Sequence, residues 1–578
     1  MKRSQTNIQP KVFIIGLDGA TFDLIKPWAA AGKLPTFKHL LHIGVHASLE
    51  SVIPPITPPA WTSFMTGMNP GKHGLFNFIE YNPQGHSIRY TNASNRKVHT
   101  LWRFLNDLGW TVGMINVPMT YPPAEVNGFC ISGLDTPDAD SNFVYPLWLK
   151  QELEQAVGEI YLDPRHLGYM KTDDKRDRVL KSLREIEKRR TDIAAYLIAH
   201  HPVDVMMLVY TATDTAQHFF WDFMDQTCPR RDAPNADLYR NAILDIYRLM
   251  DANIARLLKL LPEDCVVMVL SDHGGGPLPK TIVHLNQYLQ ELGLLVYKKG
   301  TRRASQRVLH RFSSALDGYL RGVLSPSQKA RLSRMFPSLR EQWESYGSSL
   351  TMIDWAQTQA YCLEVLAFPP AIWVNLDGQG PGGGVKAGAE YENLIAFLTE
   401  RLYTLKDNAT GKPFIRRVYH KKEIYQGSYM DLAPDLVLSW WEERAFQTRK
   451  SVPNATHPSV YQATDAATGR AASWSGTHRL HGILVMTGGP FRQAAKLSEA
   501  HITDIAPTLC YLLGLPVPAE MDGKVLLEAF QEAYVVSHPV QHQHGMWPVL
   551  SNNDAGPGIT PEDEAKIRER LQGLGYIE

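Results

Sequence analysis

Cysteine is scarce in this chain: five residues in 578, at Cys130, Cys228, Cys265, Cys362 and Cys510, with no Cys-x-x-Cys pair. An odd, scattered set of this kind excludes a disulfide framework and a zinc knot, and reads as reduced structural thiols. Net charge is missing too, since 59 Lys and Arg are balanced by 59 Asp and Glu. No global field draws the chain toward an acidic partner, and no specific nucleic-acid binding is expected. Long apolar runs are absent. The basic start MKRSQTNIQP leads into only the short run KVFIIG before Asp18, too short for the apolar region of a signal peptide. No stretch approaches the roughly 20 apolar residues that span a bilayer. Cytoplasm is the reading these absences leave. The balance that remains, 44% hydrophobic and 20% charged, is that of a globular protein too long for a single ordinary core.

Short apolar, β-branched runs recur along the chain: KVFIIG, TVGMINV at 111–117, VDVMMLVY at 203–210, CVVMVLS at 265–271 and HGILVMTGG at 481–489. Helical patterns such as LWRFLNDLG at 101–109 and the long stretch 174–201 lie between them. Continuous apolar strands alternating with helices predict an α/β fold with a mostly parallel central sheet covered on both faces. Ligands of such sheets gather beyond the carboxyl ends of the strands. The middle of the chain differs. From Lys298 to Arg340, eleven Lys or Arg residues face one acid, Asp317. Apolar residues at helical spacing within it predict a basic helical insertion, read as a solvated face, a lid over an anionic substrate or a contact with an anionic membrane. The Gly-rich stretch 378–385 lacks the Lys-Ser/Thr of a phosphate-binding loop and reads as a plain loop. The expected organisation is a core from 1–280 and 470–535, a basic helical insertion at 281–350, an α+β insertion or cap at 351–469, and a C-terminal extension at 536–578 ending in a helix.

Chemistry concentrates where the apolar runs stop. Asp18 follows the first, Asp214 and His218 the third, Asp272 and His273 the fourth, and His478 precedes the fifth. Close carboxylates repel unless a cation compensates, and mixed His/Asp sets suit zinc. The spacing Asp-x-x-x-His places Asp214 and His218 on one face of a helical turn. Thr57 belongs to TPPAWTSFMTG. Pro58 disfavours helical geometry at Thr57, while two prolines suit a helix's first positions. Thr57 is therefore expected at or just outside a helix N-terminus, a place that favours an anion and a nucleophile attacking a phosphate. Thr62 and Thr66 fall inside that helix as packing or capping groups. His481 rivals His478 but stands at a strand start, and His73 reads as a turn or supporting residue.

Taken together, GLDG at 16–19, TPPAWTSFMTGMNPGKHG at 57–74, TDTAQH at 213–218, SDHGG at 271–275, GTHRLHG at 476–482 and the segment 501–526 resemble the alkaline phosphatase superfamily. The branch they resemble is that of type I phosphodiesterases and nucleotide pyrophosphatases. The resemblance implies an alkaline-phosphatase-like core with an inserted helical or mixed cap. It implies two divalent metal ions, zinc first and manganese as the alternative. Asp214, His218 and His478 would hold one ion; Asp18, Asp272, His273 and the oxygen of Thr57 would hold the other. Thr57 would be the nucleophile of a metal-dependent phosphoesterase, acting through a phosphothreonine intermediate on a small-molecule or lipid-headgroup phosphate ester. A diester is the first expectation. A phosphomonoesterase, a phosphotransferase and, more remotely, a metal-stabilised binding protein are the alternatives. The chain departs from the family at Ala60, where nucleotide pyrophosphatases place an Asn that holds a phosphate oxygen, so nucleotide pyrophosphatase activity is in doubt. The sulfatase pattern and a serine nucleophile are both absent.

Overall fold

The computed structural model describes residues 10–574 except 83, 85–86, 162–171, 226–234, 299–348, 365–368, 381, 407–410, 414, 443–444, 450, 452–457, 463–473 and 548–559. Past Lys298 the expected basic insertion lies outside the described residues, and so do its lid and membrane readings. Among the described residues no helix is long and apolar enough to cross a membrane.

The central sheet has nine strands: β1 (Val12–Leu17), β2 (Val45–Glu50), β3 (Val112–Val117), β4 (Gly128–Ser132), β5 (Val144–Tyr145), β6 (Val205–Tyr210), β7 (Val266–Leu270), β8 (His481–Thr487) and β9 (Ala495–Lys496). They lie in the order β9–β2–β8–β7–β1–β6–β3–β4–β5. The run β7–β1–β6–β3–β4 is parallel throughout. Two strands depart from the parallel pattern: β8, the last apolar run of the sequence, pairs antiparallel with both β7 and β2, and the edge strand β5 pairs antiparallel with β4.

Both faces of the sheet are covered, and β1 shows why its sequence is apolar without alternation. Phe13, Ile15 and Leu17 enter one apolar cluster, with the long helix Asp173–His200 and the helix Ala242–Leu258. Val12 and Ile14 enter the other, with Trp61, Phe64, Leu101 and Leu105. A strand buried on both sides has no solvent face to mark with polar residues. A smaller antiparallel sheet, Ala360–Tyr361, Ala371–Val374, Leu436–Leu438 and Val418–His420, carries the helix Ala389–Tyr403 and forms a third apolar cluster. The four described cysteines are buried and free.

Candidate active site

Thr57 opens the helix α1 (Thr57–Thr66). Ile56 is the extended residue before it, at φ −129° and ψ 142°, and Gly67 closes it in the left-handed region at φ 67°. Thr57 is thus the first helical residue rather than one outside the helix, where Pro58 and Pro59 lose no hydrogen bond. Every residue of α1 is buried. Thr62 and Thr66 donate to the carbonyls of Pro58 and Thr62 at 2.7 and 2.8 Å, which commits both hydroxyls to their own helix. Thr57 Oγ1 instead lies 3.4 Å from His273 Nε2. One turn on, Trp61 donates its Nε1–H to Asp18 Oδ2 at 3.3 Å, tying the helix to the end of β1.

The third apolar run turns directly into α2 (Ala212–Met224), which delivers Asp214 and His218 from adjacent turns. Thr213 Oγ1 donates to the Asp18 carbonyl at 2.6 Å and Gln217 Nε2 to the Gly19 carbonyl at 2.8 Å, docking α2 against the β1 loop. Gly19 permits that approach. It sits at φ +66°, and a Cβ there would lie 2.8 Å from Asp214 Oδ1. The backbone N–H of Gly19 donates to Asp272 Oδ1 at 3.2 Å.

Two groups of side chains result, each with its donor atoms within 4.8 Å of one another: Asp214, His218 and His478, and Asp18, Asp214 and His273. Asp214 belongs to both. Its Oδ1 is 3.2 Å from His218 Nε2 and 3.6 Å from His478 Nε2. His273 Nε2 lies 3.6 Å from Asp18 Oδ1 and 3.3 Å from Asp272 Oδ2. His478 stands on a short strand, Gly476–Arg479, that pairs with Gly274–Pro277, and its ring stacks on His273 at 3.7 Å.

The three imidazoles share one arrangement. Nδ1 of His218 faces the Gly476 carbonyl at 2.9 Å, Nδ1 of His478 the Pro55 carbonyl at 2.9 Å, and Nδ1 of His273 the Gly274 carbonyl at 3.0 Å. A carbonyl only accepts, so each Nδ1 carries a proton, and in the neutral ring Nε2 keeps its lone pair. Those lone pairs converge on carboxylates, and two of them, on His218 and His478, meet at 3.0 Å. Electron pairs brought face to face among carboxylates demand a cation between them, and Nδ1 bonded to a carbonyl is how metal-binding imidazoles are oriented. The residues present therefore fit divalent ions.

Without an ion, a proton shared with Asp214 answers the same crowding at His218. Burial opposes charge on Asp214, but His218, then His478 and His273, outweigh it and hold the carboxyl well below the usual range. Burial likewise opposes charge on His218, and Asp214 overcomes it, raising that imidazole. His478 is held well below its ordinary value by burial and by His273. Burial lifts Asp272 to about 6 against the pull of His273.

All seven side chains singled out in the sequence, Asp18, Thr57, Asp214, Asp272, His218, His273 and His478, are brought to one place at the carboxyl ends of β1, β6 and β7. Asp272 stands outside both three-residue groupings, and the sharing of Asp214 has no sequence signal. His481 is exposed at the start of β8. His73 is buried behind α1, with Nε2 at 2.9 Å from Ser63 Oγ. Sequence reasoning missed Trp474, whose ring lies 4.0 Å from that of His218, and Trp440, 6.0 Å from His478. It missed Glu187 too, which accepts the backbone N–H groups of Thr211 and Ala212 at the start of α2, at 2.9 and 2.7 Å.

Across residues 12–453 the chain matches the family of type I phosphodiesterases and nucleotide pyrophosphatases. The chain belongs to that family. A 2,3-bisphosphoglycerate-independent phosphoglycerate mutase of Cereibacter sphaeroides (strain ATCC 17025 / ATH 2.4.3) is 35% identical over 82 residues, 14% of this chain and 15% of the mutase. Among solved structures, human ectonucleotide pyrophosphatase/phosphodiesterase 5 gives a TM-score of 0.48 at 15% identity, covering 91% of this chain and 99% of that one. Phosphonoacetate hydrolase from Sinorhizobium meliloti 1021, in complex with phosphonoacetate, gives 0.46 at 12% identity over 86% of this chain and 94% of that one.

Proposed function

We propose that this protein is a metal-dependent phosphodiesterase with Thr57 as its nucleophile. The observation that carries the reading is the placement of a buried hydroxyl at the mouth of α1, 3.4 Å from His273 and beside two Asp/His groups built to hold cations. Asp214, His218 and His478 would hold one divalent ion, and Asp18, Asp272, His273 and Thr57 Oγ1 a second. Zinc suits this donor set best, with manganese the alternative. When bound, the ions stabilise the phosphate's charge and lower the pKa of a coordinated hydroxyl.

The chain's own part follows from its geometry. With Pro58 and Pro59 in its first turn and the Ala60 N–H given to the Ile56 carbonyl at 3.0 Å, α1 offers an anion the positive end of its dipole rather than a row of N–H groups. Thr57 Oγ1, having lost its proton, attacks phosphorus. The bond to one ester oxygen breaks, and that group leaves as an alcohol. Water then cleaves the phospho-Thr57 ester, restoring the hydroxyl and releasing a phosphate monoester. The proposal does not extend to nucleotides, since Ala60 is a buried methyl with no donor for a phosphate oxygen.

The test is a comparison of aryl phosphate diester, aryl phosphate monoester and aryl sulfate on zinc-loaded protein and on Thr57→Ala. Diester cleavage lost in the variant supports the reading, and a preference for the monoester moves it to a phosphatase. A transferase passing the phosphoryl group from Thr57 to an acceptor alcohol is the second reading, favoured by the 82-residue likeness to the mutase. Turnover that appears only on adding an acceptor would establish it.

A further inference from the structure

Asp214, His218 and His478 are 3%, 3% and 6% exposed, whereas the two tryptophans beside them keep part of their surface open. Trp474 lies against His218 at 4.0 Å with planes tilted 31°, and meets Phe219, the next residue of α2, at 6.1 Å in an edge contact. The residue after it, Ser475, donates its N–H to the His218 carbonyl at 2.7 Å, which fixes the segment in place. Trp440 comes from the smaller sheet, just past Leu436–Leu438, with its ring 6.0 Å from that of His478. It packs against both the core cluster and the cap cluster, so it is held from two sides.

Flat aromatic rings are what the structure sets beside these two imidazoles. Arg479, the nearest guanidinium in sequence, donates to the carbonyls of His478 and Pro277 at 3.0 and 2.6 Å. A phosphate seated among the Asp and His side chains would leave its ester substituent beside the two indoles. Aromatic faces favour flat apolar partners through area burial and offset or edge-on stacking.

Resting on the phosphoesterase reading, we infer that Trp474 and Trp440 form the walls of a subsite for the substrate's ester group, and that this group is aromatic or comparably flat and apolar. One wall belongs to the catalytic core and the other to the cap, so the specificity of the site is set where the two meet.

Calorimetry on zinc-loaded protein decides this, using phenylphosphonate and methylphosphonate, which share one anionic head. Wild type should bind the phenyl compound at least about tenfold more tightly. Trp440→Ala should bring the two affinities to within about threefold, and Trp440→Phe, which keeps a ring, should retain most of the preference. Zinc content of each variant is measured alongside. Equal affinity of wild type for both compounds overturns the inference and leaves the phosphoesterase reading standing. Loss of both affinities by one common factor in Trp440→Ala would show a merely structural ring and also overturns it. Binding of neither compound by wild type removes the phosphoesterase reading, and this inference with it.

Discussion

His218 and His478 face each other Nε2 to Nε2 at 3.0 Å, each ring held from behind by a backbone carbonyl. Neither ring can turn its protonated nitrogen inward without giving up that carbonyl. The pair therefore offers two imidazole nitrogens to a cation, beside the Asp214 carboxylate. Zinc should raise the melting temperature of chelator-treated protein, with about 2.7 kcal/mol of stabilisation at a hundredfold excess over Kd. His478→Ala should lose much of that response, and His481→Ala, altering an exposed ring, should keep it. A thermal melt indifferent to both chelator and zinc would remove the metal assignment.

Thr57→Ala removes a buried hydroxyl while leaving the Asp and His groups in place. Turnover should fall by at least about a thousandfold, since no second group can share a nucleophile's role. Zinc content should stay the same. Thr57→Ser keeps the oxygen and should retain measurable activity. Rapid quenching with substrate should leave a phosphorylated protein in wild type and none in Thr57→Ala. Undiminished turnover in the alanine variant would end the nucleophile assignment.

Much of this arrangement is legible before any coordinates. Asp18 stands one residue past β1 and Asp272 two past β7, and a polar residue ending a fully apolar run marks the carboxyl edge of a parallel sheet. The sequence pattern does not carry strand direction, so the antiparallel pairing of β8 emerges only from the assembled sheet. The double membership of Asp214 depends on the left-handed turn at Gly19, which lets two distant segments close together. Trp474 and Trp440 are single aromatics with no period to betray them, and only the folded chain brings them beside His218 and His478. Glu187 is hidden differently. It reads as one charge among many on a long helix, yet it is fully buried.

That buried glutamate supports a third expectation. Glu187 takes the first backbone N–H groups around the start of α2 and pairs with Arg190 at 2.9 Å, with both side chains almost wholly buried. Glu187→Ala would take the carboxylate from the buried guanidinium, which still donates to Thr211 Oγ1 at 2.8 Å, and leave the helix start uncapped. The loss should be about 3–5 kcal/mol, the range for breaking a buried pair by removing one partner. Glu187→Gln keeps an acceptor for the helix and should cost less. Urea unfolding of the three proteins checks the order, and equal midpoints would show that the pair does not hold α2.

The last expectation concerns pH. His73 is fully buried; its Nδ1 accepts the Leu75 N–H at 3.2 Å, and its Nε2 lies 2.9 Å from Ser63 Oγ. Because Nδ1 accepts, protonating the ring would set two N–H groups against each other. Burial, aided by the charge of Arg96, lowers this imidazole from 6.5 to about 3. Above pH 6.5 the ring is neutral in both folded and unfolded chains, and its full contribution to stability is present. Below that value the unfolded chain takes up a proton that the fold refuses, and stability falls by about 1.4 kcal/mol per pH unit. Between pH 6.5 and 5 this amounts to about 2 kcal/mol. His73→Gln offers an N–H and a carbonyl at similar reach but cannot titrate. Its unfolding free energy should therefore drop less than that of wild type between pH 7 and 5, by about 2 kcal/mol. Urea titrations at the two pH values measure the difference directly, and parallel losses in both proteins would show that His73 accepts its proton inside the fold.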